Sequence, residues 1–262
     1  MWNAVGQAFL SDCFQPETPD MHVMSSASTI SFRRRHLPHW MVADRSYFVT
    51  LRLKGSLPRS VVEELMRERM ALMNTAPNDG QIDEFRRLQF KRVEAVLDSL
   101  QEGPRFLDIA PVADIVLSAF RWLEEQKGWI VHAMTVMPNH VHALLRNVNG
   151  RNHCLNQDIG VLKGFTARQA NTVLKRTGRA FWADENFDHW RRDDSKLHSV
   201  ARYIAMNPVE AGLVKDWRDW PWTRVGQAFL PDLMGSGKNA QPTKAESGKN
   251  VQPTEIEKDT AL

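Results

Sequence analysis

The chain is poor in cysteine and in tyrosine, with two of each among 262 residues. Cys13 and Cys154 are too few for a disulfide framework or a four-thiolate metal site, which leaves a reducing compartment as the default. The two tyrosines are Tyr47 and Tyr203. No apolar run approaches the length of a membrane span, and the first residues lack an apolar core behind a basic start. A cytoplasmic protein is therefore expected. An excess of one charge is lacking too: the net charge is +3, too weak alone to argue for a polyanionic partner. What is present, 42% hydrophobic and 25% charged residues, suits a globular protein with one sizeable core.

The densest signal is Met137-Pro138-Asn139-His140-Val141-His142-Ala143-Leu144-Leu145. Met-Pro-Asn reads as a turn, since proline presets one dihedral and asparagine tolerates the unusual backbone that follows. Strand formers flank it on both sides, from Trp129 to Val136 and from His140 onward, so a hairpin is expected. Side chains alternate along a strand, which puts His140 and His142 on one face with Cα atoms about 6–7 Å apart. Two imidazoles so placed can converge on one divalent cation. Isolated His-x-His pairs also arise as core residues and by chance.

A second signal follows from Asp193 to Pro208. Leu197, Val200, Ala201 and Ile204 form the stripe of an amphipathic helix, opened by acidic and hydroxyl residues and expected to end at Asn207, before Pro208. Tyr203 and Asn207 are one turn apart beside that stripe, near the seam where the helix meets the rest of the fold. Taken alone, they read as an ordinary boundary tyrosine and a C-terminal asparagine.

The remaining pattern is organisational. Residues 1–40 read as an irregular arm containing Arg33-Arg34-Arg35-His36. A strand is expected at about 46–53, with Tyr47, Val49, Leu51 and Leu53 on one face. A helix capped by Ser60 and Glu63 follows, then a break at Asn78-Asp79-Gly80 and a second helix through Val93 and Leu97. A third runs from Pro111 to just before Gly128, then come the hairpin, a helix at about 158–176 and a strand near 180–190. This order implies an α+β fold with a largely antiparallel sheet. The run Asp216-Trp217-Arg218-Asp219-Trp220-Pro221-Trp222 could stack on bases, but its tryptophans more naturally pin the closing segment to the core.

The two signals together resemble the REP-associated tyrosine transposases, which belong to the single-tyrosine HUH (His-hydrophobic-His) transposases. Met-Pro-Asn-His-Val-His-Ala-Leu-Leu carries the resemblance with Tyr203-Ile204-Ala205-Met206-Asn207-Pro208-Val209-Glu210-Ala211-Gly212. Tyr47-Phe48-Val49-Thr50-Leu51-Arg52-Leu53, Gly164-Phe165-Thr166-Ala167-Arg168-Gln169-Ala170-Asn171 and Phe187-Asp188-His189-Trp190 add to it, over roughly residues 38–225. The resemblance implies a ferredoxin-like β-α-β-β-α-β core, the HUH endonuclease fold, with residues 59–105 as a helical elaboration. It implies Tyr203 as nucleophile and His140, His142 and Asn207 as ligands of Mg2+ or Mn2+. It also implies nicking and strand transfer on single-stranded or hairpin DNA of the repetitive extragenic palindrome type, through a 5′-phosphotyrosine bond, by a monomer or homodimer associated with the nucleoid.

Charge distribution agrees with a DNA partner. Residues 59–127 hold ten Lys/Arg against thirteen Asp/Glu, whereas 151–202 hold ten against six. Solvated helix faces alone could give the same asymmetry. Lys163, Arg168, Lys175 and Arg176 on the 158–176 helix are the candidate DNA-binding residues. Two other readings stay open: a repeat-DNA binder that no longer cleaves, and a phosphoesterase using the histidines to activate water. At the ends, Val5-Gly6-Gln7-Ala8-Phe9-Leu10 recurs as Val225-Gly226-Gln227-Ala228-Phe229-Leu230, and residues 236–243 recur nearly unchanged as 247–254. Such copies suit repeated DNA flanking the gene and read into frame. Domains are accordingly expected at 1–40, 41–225 and 226–262, the last a low-complexity tail without order.

Overall fold

The computed structural model describes residues 29–34, 38–42, 46–99, 103–147, 155–184, 187–191 and 196–235. It opens with strands β1 (Thr29–Arg34) and β2 (Pro38–Val42), paired antiparallel, where an irregular arm was expected. Arg33 and Arg34 belong to β1, while Arg35 lies outside the described residues. Then come β3 (Ser46–Arg52), α1 (Arg59–Asn74), α2 (Asp79–Ser99), α3 (Ala110–Lys127), β4 (Trp129–Val136), β5 (His140–Asn147) and α4 (Leu155–Val173). After β6 (Phe187–Arg191) follow α5 (Leu197–Glu210), β7 (Thr223–Val225) and the short α6 (Leu230–Gly235).

The main sheet has the order β6-β3-β5-β4-β7, and every neighbouring pair is antiparallel. Without its added edge strand β7, this is the expected ferredoxin-like arrangement, in which α3 carries the chain from β3 over to β4 and β5 slots between them. Period-two alternation gives the sheet two different faces. Tyr47, Val49, Leu51 and Leu53 join Val141, Ala143 and Leu145 in the larger core, beneath Val116, Phe120 and Leu123 of α3 and Ile159 and Leu162 of α4. Each such Val, Leu, Ile or Phe side chain, fully buried, stabilises the fold by about 1.5–3 kcal/mol. Phe48 and Leu144 face the other way, against Val200, Ala201, Tyr203 and Ile204 of α5 and Phe90 of α2.

Several local expectations shift. Helix α1 starts at Arg59 behind Pro58, and Ser60 makes no cap. The reciprocal box forms one helix later, where Asn78 Oδ1 accepts from the Gln81 amide and Gln81 Oε1 accepts from the Asn78 amide. Helix α3 ends as expected, at Gly128 in the left-handed region with φ 67°. Helix α5 passes through Pro208 to Glu210 rather than stopping at Asn207. Proline removes only its own N–H, and the Asn207 and Pro208 carbonyls still accept from Ala211 and Leu213 at 2.9 Å, so the last turn closes. The expected acidic cap at Asp193 and Asp194 lies outside the described residues.

The closing tryptophans do pin the chain. Trp220 Nε1 donates to the Val136 carbonyl at 2.9 Å and Trp222 Nε1 donates to Asp114 at 3.0 Å. The packed protein also continues past residue 225: Phe229 and Leu233 are buried, so the second copy of the terminal repeat is part of the fold. Its first copy, residues 5–10, and the tail beyond 235 lie outside the described residues.

Candidate active site

Register puts the histidines on the face that α5 covers. His140 pairs with Arg52, His142 with Thr50 and Leu144 with Phe48, so the histidines share the side of Phe48 and Leu144. Asn139, at the end of the turn, controls how His140 is presented. Its Nδ2 donates to the Leu97 carbonyl at 3.0 Å, which turns Oδ1 toward His140 Nδ1 at 2.7 Å. His140 therefore carries its proton on Nδ1 and points a bare Nε2 inward. His142 Nδ1 lies 2.9 Å from the Thr50 hydroxyl, and its ring stacks on Phe48 with centroids 5.3 Å apart. The two Nε2 atoms face each other at 3.0 Å.

Tyr203 reaches the same place from α5, with its ring 5.5 Å from that of His142. Asn207, one turn on, is 1% exposed, and neither atom of its amide has a hydrogen-bond partner. His140 and His142 are fully buried and Tyr203 is 2% exposed. Four residues from distant parts of the chain thus lie in one enclosed layer between sheet and helices.

A fifth residue is there that the motifs do not contain. Glu94, from α2, accepts the Tyr203 hydroxyl on Oε2 at 2.6 Å, and the same oxygen lies 2.8 Å from His142 Nε2. Asp98, one turn further, places Oδ1 3.8 Å from His140 Nε2. Glu94, His140 and His142 offer three donor atoms all within 4.8 Å of one another, a group that could hold a metal ion. The sequence carried a signal for both acids. Each falls on the inward stripe of α2 with Phe90, Val93 and Leu97, where an acidic residue has no solvent to face.

Burial sets the electrostatics. It pushes Tyr203 well above the ordinary phenol value, and the carboxylates of Glu94 and Asp98 and the hydrogen bond to Glu94 raise it further. Burial, with His142 adding to it, holds His140 well below the usual imidazole value. Asp98 is raised by burial and then by Glu94 and Glu210, and Glu210 is itself raised by burial.

The candidate DNA-binding residues occupy another layer. Helix α4 covers the sheet face opposite His140 and His142, and it ends at Val173, so Lys175 and Arg176 lie beyond it. Arg168 and Lys175 are exposed. Lys163 donates to the Ala183 carbonyl at 2.7 Å, and Arg176 donates to the Ala180 carbonyl at 3.0 Å while lying over the Phe106 ring at 4.2 Å. His132 packs on Phe229 with ring centroids 5.2 Å apart, and the side chain of His189 lies outside the described residues.

Two histidines on a central strand of a ferredoxin-like antiparallel sheet, facing a tyrosine-bearing helix, define a site of the HUH type. Residues 106–207 match the family model described as IS200-like transposase. Over that segment, less than half of its length, the chain is similar to the IS200-like transposases. A REP-associated tyrosine transposase of Haemophilus influenzae is 27% identical over 115 residues, 40% of this chain and 64% of that protein. The match thus spans less than two thirds of that relative's length. Among solved structures, a REP-associated tyrosine transposase bound to a REP hairpin aligns over 85% of this chain and 99% of that one, at 15% identity and a TM-score of 0.44. A Deinococcus radiodurans R1 protein described as a transposase aligns over 67% and 96%, at 16% identity and a TM-score of 0.27. At these scores neither structure bears on the site. No described helix is long and apolar enough to cross a membrane.

Proposed function

We propose that this protein nicks and rejoins DNA through Tyr203, with a divalent ion held by His140, His142 and Asn207. The carrying observation is the meeting of a tyrosine hydroxyl with two inward-facing imidazole Nε2 atoms 3.0 Å apart in one buried site. The residues fit an ion. A buried amide with both polar atoms unpartnered is a costly arrangement unless something else satisfies it, and Asn207 is such a group beside two neutral nitrogen donors. Mg2+ or Mn2+ suits oxygen-rich mixed ligation in use, although imidazoles also take later transition metals. When bound, the ion would polarise the scissile phosphate and offset the charge that develops on it.

The chain's own residues supply the rest. Tyr203 Oη attacks phosphorus, the P–O3′ bond breaks, the phenolic proton leaves to an acceptor, and the departing 3′ oxygen takes up a proton. The product is a 5′-phosphotyrosine and a free 3′-hydroxyl, and the reverse attack by a 3′-hydroxyl restores a phosphodiester without ATP. Asn139 keeps His140 in the tautomer that leaves Nε2 free. The substrate would be single-stranded or hairpin DNA of the palindromic repeat class, positioned by backbone contacts to Arg168, Lys175, Lys163 and Arg176. The full-length protein, incubated with labelled hairpin DNA and Mn2+, should form a covalent adduct that Tyr203→Phe abolishes while binding persists. An adduct that survives in the Phe variant would end the assignment.

One observation favours a second reading, binding without cleavage: Tyr203 is 2% exposed, so it is closed off from solvent in this conformation. Tight hairpin binding with no strand cleavage in Mg2+, Mn2+, Zn2+ or Ni2+ would select it.

A further inference from the structure

Glu94 lies outside the matched residues 106–207 and outside both motifs, yet it touches the nucleophile and a histidine at once. It arrives on the α1–α2 hairpin, inserted between β3 and α3. The hairpin leaves the body through a narrow neck. Gly55 (φ 85°) and Gly103 (φ 88°) cross there so closely that a Cβ on Gly103 would come within 2.6 Å of the Gly55 carbonyl oxygen. Phe90 docks the hairpin edge-on to Phe48, with centroids 5.6 Å apart, and the Leu97 carbonyl takes the bond from Asn139. The neck and these contacts carry Glu94 to its place.

What Glu94 meets there is unbalanced. It is 0% exposed and its Oε1 has no hydrogen-bond partner. Asp98 Oδ1 is also buried without a hydrogen-bond partner. Among the described residues, histidines are the only ion-pair partners of either carboxylate. An enclosed carboxylate with no lysine or arginine beside it is disfavoured unless it takes up a proton, as burial favours for Asp98, or a cation sits beside it, the role open at Glu94. The spacing suits a cation. An octahedral ion with bonds of about 2.1 Å sets neighbouring ligand atoms about 3.0 Å apart. The Nε2 atoms of His140 and His142 are 3.0 Å apart, and Glu94 Oε2 is 2.8 Å from His142 Nε2.

We infer that Glu94 is an anionic ligand of the divalent ion, delivered to His140 and His142 by the inserted helical hairpin. The same hairpin then covers the site and completes it. This inference rests on the reading of the site as ion-dependent, but not on any DNA chemistry by Tyr203.

The test is Mn2+ titration of the full-length protein without DNA, followed by electron paramagnetic resonance of the free ion. Glu94→Gln preserves shape and removes the charge, and its Kd for Mn2+ should rise at least tenfold. Glu94→Asp, which keeps the charge on a shorter arm, should fall between the two. Thermal unfolding in EDTA separates ligation from structure: Glu94→Gln keeps the shape and an acceptor for the Tyr203 hydroxyl, so it should unfold close to the wild type there. Wild-type stability should rise on adding Mn2+ and the variant's should rise much less. A variant Kd within twofold of wild type would overturn the assignment, as would a wild type that fails to bind Mn2+ at millimolar concentration. Failure of the DNA adduct assay alone would leave these readings unchanged, so the two conclusions fall separately.

Discussion

Tyr203→Phe should change stability as well as chemistry, and the size of the change follows from the site. The substitution deletes one oxygen and leaves the ring, so the contacts with Phe48 at 6.1 Å and His142 at 5.5 Å remain and no cavity of consequence opens. What is lost is the hydroxyl that Glu94 accepts at 2.6 Å inside a fully buried layer. A hydrogen bond to a charged group contributes about 1.5–3 kcal/mol, and removing one partner leaves the other desolvated. Urea unfolding in EDTA should therefore show the Phe variant less stable by about 1.5–3 kcal/mol, with the slope against denaturant unchanged. In a thermal scan of a protein of this size that is a drop of roughly 3–12 °C. Mn2+ should narrow the gap, since a cation then compensates Glu94. A Phe variant as stable as the wild type in EDTA would refute the buried Tyr203–Glu94 bond.

Three further outcomes test other parts of the structure. Phe90→Ala removes the ring that seats α2 on Phe48 and should lower stability by about 3–5 kcal/mol, while exposing the histidines. Diethyl pyrocarbonate, followed by peptide mapping, should modify His140 and His142 in that variant and spare them in the wild type; equal protection would show that α2 does not cover them. Arg92→Ala breaks the partly exposed pairs with Glu64 and Glu68 that join α1 to α2, for which less than about 1 kcal/mol is expected by urea unfolding; a loss above about 2 kcal/mol would reveal a network stronger than its exposure suggests. Burial raises Asp98 and Glu210, so both hold protons more tightly folded than unfolded. The stability this lends is complete below the unfolded carboxyl range, about pH 4, and is lost as pH rises through the folded values. Stability in EDTA should decline on that side and Asp98→Asn should flatten the decline; a wild-type curve equally steep in the variant would contradict it.

The sequence by itself determined whatever depends on short-range periodicity. Alternation at Tyr47, Val49, Leu51 and Leu53 and at His140 and His142 was enough to assign faces, because the strand repeat is a property of the backbone. The αL stop at Gly128, the hairpin turn and the 3.6-residue stripe of α5 were legible for the same local reason. The terminal strand pair β1–β2 was not, since pairing there depends on a partner strand that no periodicity names. The end of α5 was misplaced by one turn because later donors, not the residue before Pro208, close it. Only the tertiary structure decided that α2 belongs to the site. Glu94 stands in a helix among many acidic residues, and nothing in its neighbours' spacing says that a glycine neck and the Phe90–Phe48 contact will bring it to Tyr203. Likewise the distance between the two Nε2 atoms and the enclosure of Asn207 come from long-range packing of β5, α2 and α5, for which a linear pattern has no term.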